Sequence, residues 1–236
     1  MNKKILVIGC SFSCFNQQLG SLTWPKILSE KTDWHIYNSS IHGNSLQNQL
    51  YQLDYYLKDY NFDFIIFQAT TSARDTFIID EKKYLEQLSN FEQQSENYFT
   101  NFFYWEPPTH YVYNLTAPWK PSNEFEKKIK KLHMDNLVYN IHHFEPLLKG
   151  LMYEIYRRLN ESKIPYLLYT HINYSVCSGM KKNNIIPFPY FDFCLQQKLG
   201  REKFAMFRID SGHHFSDEGN YCLVNDYIYP KIEKYL

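Results

Sequence analysis

The residues of this chain whose types could carry out a reaction lie near its two ends. Ser11 stands in the sequence GCSFS, and Asp210, His213 and His214 stand in DSGHHFSDEG. A serine hydroxyl is a poor nucleophile until a base removes its proton, and an imidazole is a better base when a carboxylate fixes its tautomer. These residue types indicate nucleophilic attack by Ser11, provided that the fold brings the two ends together.

Strands that alternate with helices would meet that condition. Short apolar, β-branched runs predict parallel strands, and apolar residues at every third or fourth position predict helices. The predicted strands are residues 5–8, 35–38, 63–68, 164–170 and 205–209, and the predicted helices are residues 22–31, 45–57, 144–160 and 220–235. This alternation is typical of a doubly wound parallel sheet, which binds its ligands where the strands end.

Three of the predicted strands end in small polar loops. Ser11 lies in the first, between a strand and a helix, where a helix dipole and backbone amides favour a developing negative charge. Gly43 lies in the second and has no Cβ, so its amide can approach a bound atom closely. The third offers the hydroxyls of Thr70, Thr71 and Ser72. All three loops are therefore candidates for parts of one site.

These loops and the segment with two histidines resemble the sequence blocks of the SGNH (GDSL-like) hydrolase superfamily. Residues 9–13 resemble its GDSxS nucleophile block, with Cys10 where aspartate is usual. Residues 38–43, NSSIHG, are similar to its NxxxxG block. Residues 210–219 look like its DxxHxSxxG block with one extra residue. The blocks follow one another in the order that the family has.

The third block departs from the family. Residues 63–73 align with a strand followed by GxND, but Thr70 stands at the glycine and Ser72 at the asparagine of the oxyanion hole. The resemblance covers both ends of the chain and leaves out residues 80–200. It implies a three-layer α/β sandwich around a mostly parallel, flavodoxin-like sheet.

The resemblance also implies a serine esterase. Ser11 would attack the ester carbonyl, Asp210 would orient the histidine base, and the amides of Ser11 and Gly43 would hold the oxyanion. Ser72 would be a weaker donor than the family's asparagine. The expected substrate is a small acyl group on a carbohydrate or another polar alcohol, and neither a metal nor an organic cofactor is implied.

The extra residue in the last block leaves two candidates for the base. Asp210 and His213 keep the family's Asp-x-x-His spacing, whereas His214 keeps the spacing to the start of the last helix. Ser216 is a good N-cap for that helix and has acidic residues after it, in the first turn. We favour His214, because a capped helix is the stiffer anchor.

Other functions fit the same residues. An O-acyltransferase would use the same triad, with a sugar hydroxyl in place of water at the second step. A non-catalytic pseudo-esterase would bind glycan, and the missing asparagine at Ser72 is the best support for it. Arg74, just past the third loop, could bind an anionic group of the substrate or pair with Asp75.

Composition argues against several partners. The chain has 25 basic and 25 acidic residues, so it has no overall field to attract nucleic acid. Its five cysteines are scattered without a CxxC pair, which indicates neither a disulfide framework nor a zinc knuckle. His133, His142 and His143 have no third ligand at helical spacing, so we expect no metal site there.

The first residues only superficially resemble a lipoprotein signal. The apolar stretch before Cys10 covers residues 5–9, which is shorter than the roughly 7–15 residues of a signal h-region. No stretch approaches the ~18 apolar residues of a membrane span. We therefore expect a cytoplasmic protein.

Residues 80–145 are expected to form an insertion or lid within a single domain of residues 1–236. This part of the chain is rich in aromatic rings and prolines, and 18% of the whole chain is aromatic. Rings in excess of what a core needs suit a stacking platform for a polar ring substrate. We expect residues 98–121 to border the catalytic crevice.

Overall fold

The fold is taken from a computed structural model of the chain. It describes residues 3–10, 12–13, 22–41, 44–70, 74–80, 110–116, 124, 127–128, 131, 141–170, 185–187 and 215–235, with the backbone alone at 74–80, 110–116, 141–145, 170 and 185–187.

Five strands form one parallel sheet. They are β1 (Lys4–Ile8), β2 (His35–Asn38), β3 (Phe64–Ala69), β6 (Tyr166–Thr170) and β7 (Ile185–Pro187), in the order β2-β1-β3-β6-β7. Every residue of β3 is buried, as expected for a central strand covered on both faces. The chain passes from β2 across β1 to reach β3, so the order reverses beside β1, and such a switch point is where open α/β sheets bind ligands.

Helices cover both faces of the sheet. The helices described are α1 (Trp24–Thr32), α2 (Leu46–Asp59), α3 (Ile141–Glu161), and a C-terminal helix made of α4 (Asp217–Cys222), a π-helical stretch (Leu223–Ile228), α5 (Tyr229–Ile232) and a final 3-10 turn (Glu233–Tyr235). Side chains of α1 and the C-terminal helix pack with Ile5, Val7 and Ile66 on one face. Side chains of α2 and α3 pack with Leu6, Ile8 and Phe67 on the other. The result is the three-layer α/β sandwich predicted from the sequence.

Local sequence explains where the first two helices begin. Pro25 lies in the first turn of α1, where its missing N–H costs no helical hydrogen bond. Ser45 caps α2, because its Oγ accepts the N–H of Asn48 at 3.1 Å. The second helix therefore starts directly after the loop that follows β2.

Two more strands form a separate hairpin. β4 (Arg74–Asp80) pairs in antiparallel register with β5 (His110–Thr116), and β4 lies alongside α2. The sequence indicated neither strand, and β5 falls inside the segment expected to be an irregular insertion. The rest of residues 98–121 lies outside the described residues, as does the strand predicted at residues 205–209.

Four of the five predicted strands and all four predicted helices are confirmed within a few residues. The strand β7 was not predicted, since its three residues give no pattern to read. No helix among the described residues is both long enough and apolar enough to cross a bilayer.

Candidate active site

Buried polar side chains tie together the loops that follow β1, β2 and β3. The three strands are adjacent and parallel, so their carboxyl ends meet at one edge of the sheet. The side chains that join the loops are neutral amides and hydroxyls, and most of them are completely buried. They are Ser13, Asn38, Ser39, Asn44, Gln49, Gln52 and Gln68. A buried polar group must find partners, so this network restricts where each loop can lie.

The first loop is a turn closed by a backbone hydrogen bond from Ser13 N to Cys10 O at 2.9 Å. Gln68, near the end of β3, holds this turn with its side chain. Its Oε1 accepts the Cys10 N–H at 3.2 Å and the Ser13 hydroxyl, and its Nε2 donates to Cys10 Sγ at 3.1 Å. Trp24 Nε1 donates to Ser13 Oγ at 2.9 Å. The hydroxyl of Ser13 therefore both donates and accepts inside the protein.

The turn leaves no room for a side chain at Gly9. A Cβ there would lie 2.7 Å from both Gln68 Oε1 and Ser13 Oγ. These distances are well inside van der Waals contact. The glycine of the first block is therefore required by the close approach of β1 to the buried side chains.

The second loop is held against the end of β1. Gly9 O accepts the Ile41 N–H at 3.2 Å and an Asn44 Nδ2 hydrogen at 2.9 Å. Asn44 N donates to Ile41 O at 3.2 Å, which closes a turn over residues 41–44. Asn38 Nδ2 donates to Ser13 O at 2.7 Å, which connects this loop to the first one.

The third loop is held by Gln49 of α2. Its Nε2 donates to Gln68 O at 2.8 Å, and its Oε1 accepts the Thr70 N–H at 3.1 Å. One side chain thus satisfies two backbone groups on either side of Ala69, where the strand ladder ends.

The segment before the C-terminal helix reaches the same edge. Ser216 caps α4, with its Oγ accepting the Gly219 N–H at 3.3 Å, as predicted. Asp217 Oδ1 accepts the N–H of Leu22, 195 residues away in the sequence, at 2.7 Å. The ring of Phe215 meets the ring of Phe12 edge to face, with centroids 6.3 Å apart. Phe215 of the last block therefore packs against Phe12 of the first.

The helix start also affects a carboxyl group. The backbone N–H of Glu218 and the hydroxyl of Ser216 hold the pKa of Glu218 below its usual value. An ionised carboxylate in the first turn is favoured by the helix dipole. This supports a firmly capped helix directly after the two histidines.

The predicted site residues themselves are mostly outside the described residues. This applies to Ser11, Gly43, Ser72, Asp210, His213 and His214. Arg74 is described only in its backbone, as the first residue of β4. Phe12 follows the predicted nucleophile in the sequence and Phe215 follows the favoured base, and the rings of these two phenylalanines do meet.

The hydrogen bonds of the loops limit which amides could bind an oxyanion. Cys10 N–H donates to Gln68, Ser13 N–H donates to Cys10 O, and Thr70 N–H donates to Gln49. An amide that already donates to a well-placed acceptor is not open to a substrate atom. The amides of Ser11 and Gly43, which the resemblance implies as the oxyanion donors, lie outside the described residues.

The sequence analysis missed Gln68 and Gln49. A signal existed for Gln68, because it stands in the otherwise apolar strand FIIFQA, where a polar residue is buried and must be bonded. For Gln49 the leucine spacing of α2 was misleading, because it indicated an apolar buried face. The buried residues of α2 include Asn48, Gln49 and Gln52 as well as two leucines. Within the described residues no group of three histidine, cysteine or acidic side chains could hold a metal ion.

Comparisons with known proteins find similar solved structures but no matching sequence family. No protein-family model and no curated protein matches the chain. The psychrotrophic esterase EstA from Pseudoalteromonas sp., in a structure inhibited by monoethylphosphonate, matches over 99% of this chain and 98% of its own, with 14% identity and a TM-score of 0.45. A protein assigned to the lipolytic G-D-S-L family from Desulfitobacterium hafniense matches over 98% and 99%, with 10% identity and a TM-score of 0.35. At these identities and TM-scores neither likeness decides the activity of this chain.

Proposed function

We propose that this chain is a serine hydrolase that cleaves carboxylic esters. Ser11 attacks the ester carbonyl, and His214 takes the serine proton and then gives it to the leaving alcohol. Asp210 orients the imidazole and stabilises its charged form. His213 is the alternative base. Water then attacks the acyl-enzyme, with the same histidine as base, and releases the acid.

The observation that carries the proposal is the contact between Phe12 and Phe215. Each ring belongs to a residue directly next to a proposed reacting residue, and consecutive Cα atoms are only about 3.8 Å apart. Since the two rings meet from opposite ends of the chain, the contact favours a nucleophile and a base that share one site. The switch point beside β1 supports the same location.

The hydrogen bonds of the loops support the oxyanion assignment. The N–H groups of Cys10 and Thr70 already donate to buried glutamines. The amides of Ser11 and Gly43 are the donors we assign to the oxyanion, and the hydroxyl of Ser72 adds a third. Removing one such donor typically slows turnover about 10²–10³-fold, so serine in place of asparagine predicts a slow or specialised enzyme.

The character of the described loop residues favours an uncharged, polar substrate. The described side chains that connect the three loops are neutral. None of these connecting side chains provides a charge that could pair with an ionic substrate. We assign the substrate as a small acyl group on a carbohydrate or similar polar alcohol. Product analysis with and without an acceptor sugar separates hydrolysis from acyl transfer.

A fluorophosphonate probe tests the proposal directly. A serine activated by histidine and aspartate is unusually nucleophilic, so the probe should form one adduct, mapped by peptide mass analysis to Ser11. Ser11→Ala should abolish the adduct, and heat-unfolded protein is the control for unspecific labelling. An unlabelled native protein, under conditions that label a control esterase, would favour a non-catalytic glycan-binding module.

A further inference from the structure

We propose that Gln68 and Gln49 are positioning residues for the esterase site, Gln68 for the nucleophile turn and Gln49 for the loop that carries Ser72. This inference rests on the proposed function and gives a role to two residues to which the resemblance assigns none. Gln68 lies in the strand of the third block, and Gln49 lies in none of the blocks. It comes from a chain of hydrogen bonds that crosses from the first loop to the third through these two carboxamides.

Gln68 holds the described residues on both sides of Ser11. Its oxygen accepts from both ends of the turn, from the Cys10 N–H and from the Ser13 hydroxyl. The orientation of the amide group is fixed, because only its oxygen can accept the backbone N–H, and its nitrogen then donates to Cys10 Sγ. Trp24 donates to Ser13 Oγ and so directs the serine hydrogen towards Gln68. The turn is therefore held on both sides of Ser11.

Gln49 determines how the third loop leaves the sheet. It donates to Gln68 O and accepts from Thr70 N–H, so it links the last part of β3 to the first loop residue. Gln49 and Thr70 are both fully buried. Ser72 follows two residues later and has a shorter side chain than the asparagine of the family. A donor with a shorter reach requires more accurate placement of its backbone, and Gln49 fixes the chain at Thr70, from which the loop to Ser72 starts.

The two glutamines are also coupled to each other. Gln49 bonds the backbone oxygen of Gln68, while the side chain of Gln68 bonds the first loop. A displacement of the third loop is thus transmitted to the nucleophile turn through one residue. Because misplacement of a reacting group by about 1 Å can cost around 10²-fold in rate, loss of either carboxamide should reduce the chemical step.

The test replaces each glutamine by methionine, which has a similar shape and cannot form these hydrogen bonds. The measurements are the rate of fluorophosphonate labelling at Ser11, and kcat and KM for p-nitrophenyl acetate. Gln68→Met and Gln49→Met should each lower kcat and the labelling rate by about tenfold or more, with KM within about twofold, since they affect the transition state rather than substrate binding.

Gln49→Glu provides a measurement, the pH dependence of kcat, that would not change if Gln49 had a purely structural role. A buried carboxyl group has a raised pKa, and in its protonated form it can replace the glutamine as both donor and acceptor. The ratio of its kcat to that of the wild type should therefore approach one as the pH falls and should decrease as the carboxyl ionises. Gln49→Met should show a ratio that does not rise at low pH.

Leu53→Ala is the matched control. Leu53 lies one turn after Gln49 on the same helix and is fully buried, but it packs in the core rather than against the loops. It should lower Tm and leave kcat and labelling unchanged. Wild-type labelling rates in both methionine variants would overturn the inference and leave the proposed function intact. An unlabelled wild-type protein would overturn both, and a loss of labelling in Leu53→Ala that matches its loss of Tm would show that stability alone controls the rate.

Discussion

The carboxyl edge of the sheet and the outer surface of α3 are both rich in polar contacts, but the contacts differ in kind. At the sheet edge the side chains are neutral, and Ser13, Gln49 and Gln68 are completely buried. On α3 they are charged, and the side chains of Arg157 and Glu154 are 40% and 33% exposed. The first network joins loops that come from three strands. The second joins residues within one helix, and in the described part of the chain one ion pair, from Arg158 to Asp54 of α2 at 3.3 Å, leaves that helix.

The difference determines what each network can do. Removing one partner from a buried hydrogen bond leaves a polar group without water, at about 1–3 kcal/mol. An exposed ion pair contributes about 0–1 kcal/mol, because water and salt screen it. Burial raises the pKa of Asp54 in spite of the nearby Arg158, so even the pair between helices does not offset the loss of water. The sheet edge therefore fixes geometry, whereas the α3 surface has little influence on it.

The largest effect on turnover is expected from the residue proposed as the catalytic base at the sheet edge. Because Ser216 caps α4 and Phe215 packs on Phe12, His214 should direct its imidazole at Ser11. His214→Ala should then lower ester turnover by several orders of magnitude, as deletions in a triad do. Steady-state kinetics with p-nitrophenyl acetate measure the change.

His213→Ala is the comparison variant and should have a far smaller effect. The opposite ranking would mean that the Asp210-x-x-His213 spacing governs the loop, with the extra residue absorbed before the helix. Full ester cleavage in both variants would contradict the Ser-His-Asp mechanism itself.

The fold was largely predictable, because its strands and helices have strong local patterns. The runs ILVI and FIIF indicated buried parallel strands, and the structure places them as neighbours at the centre of the sheet. The hairpin of β4 and β5 and the short strand β7 were missed. Their pairing depends on partners distant in the sequence or on very few residues, and a local pattern contains no information on either.

The sequence predicts reacting residues for the site, which lie outside the described residues, but it does not predict the side chains that hold the loops. The blocks around Ser11 and His214 stand out because their residue types suit catalysis. No sequence signal distinguishes Gln49, since it lies between the leucines of an amphipathic helix and its role depends on Gln68 and Thr70. Buried carboxamides obtain their function from the tertiary structure, and only the structure reveals it.

A pair of glycines provides the next test of the comparison. A Cβ at Gly9 would lie 2.7 Å from Gln68 Oε1 and Ser13 Oγ, whereas a Cβ at Gly150 on α3 would have no neighbour within 4 Å. Gly9→Ala should therefore destabilise the protein by about 1–3 kcal/mol through overpacking and should also reduce turnover. Urea unfolding and esterase kinetics measure the two effects.

Gly150→Ala should act in the opposite direction. Alanine in an exposed helix stabilises it by about 0.5–1 kcal/mol relative to glycine, and turnover should not change. Equal stability changes for the two substitutions, with the same sign, would contradict the view that the sheet edge is rigid and the α3 surface tolerant.

The smallest effect is expected from the ion pairs of α3. The hydrogen bond from Arg157 holds the pKa of Glu154 at about 2, below the ordinary 4.5, and Arg158 adds to the effect. The folded form thus binds the proton more weakly than the unfolded form. Whatever stability Glu154 contributes is present above pH 4.5 and is lost as the pH falls towards 2.

Glu154→Gln should therefore lower Tm slightly at neutral pH, and the difference from the wild type should disappear as the pH falls from about 4.5 to about 2. Because both side chains are partly exposed, 0.5 M NaCl should also remove most of the difference. Turnover should be unaffected at neutral pH, since Glu154 is bonded to Arg157 and Arg158 of its own helix. Thermal unfolding of both proteins at several pH values measures this difference in Tm. A Tm loss as large as that of Gly9→Ala, or one that persists at pH 2, would mean that the charged surface of α3 contributes as much to the fold as the neutral network at the sheet edge.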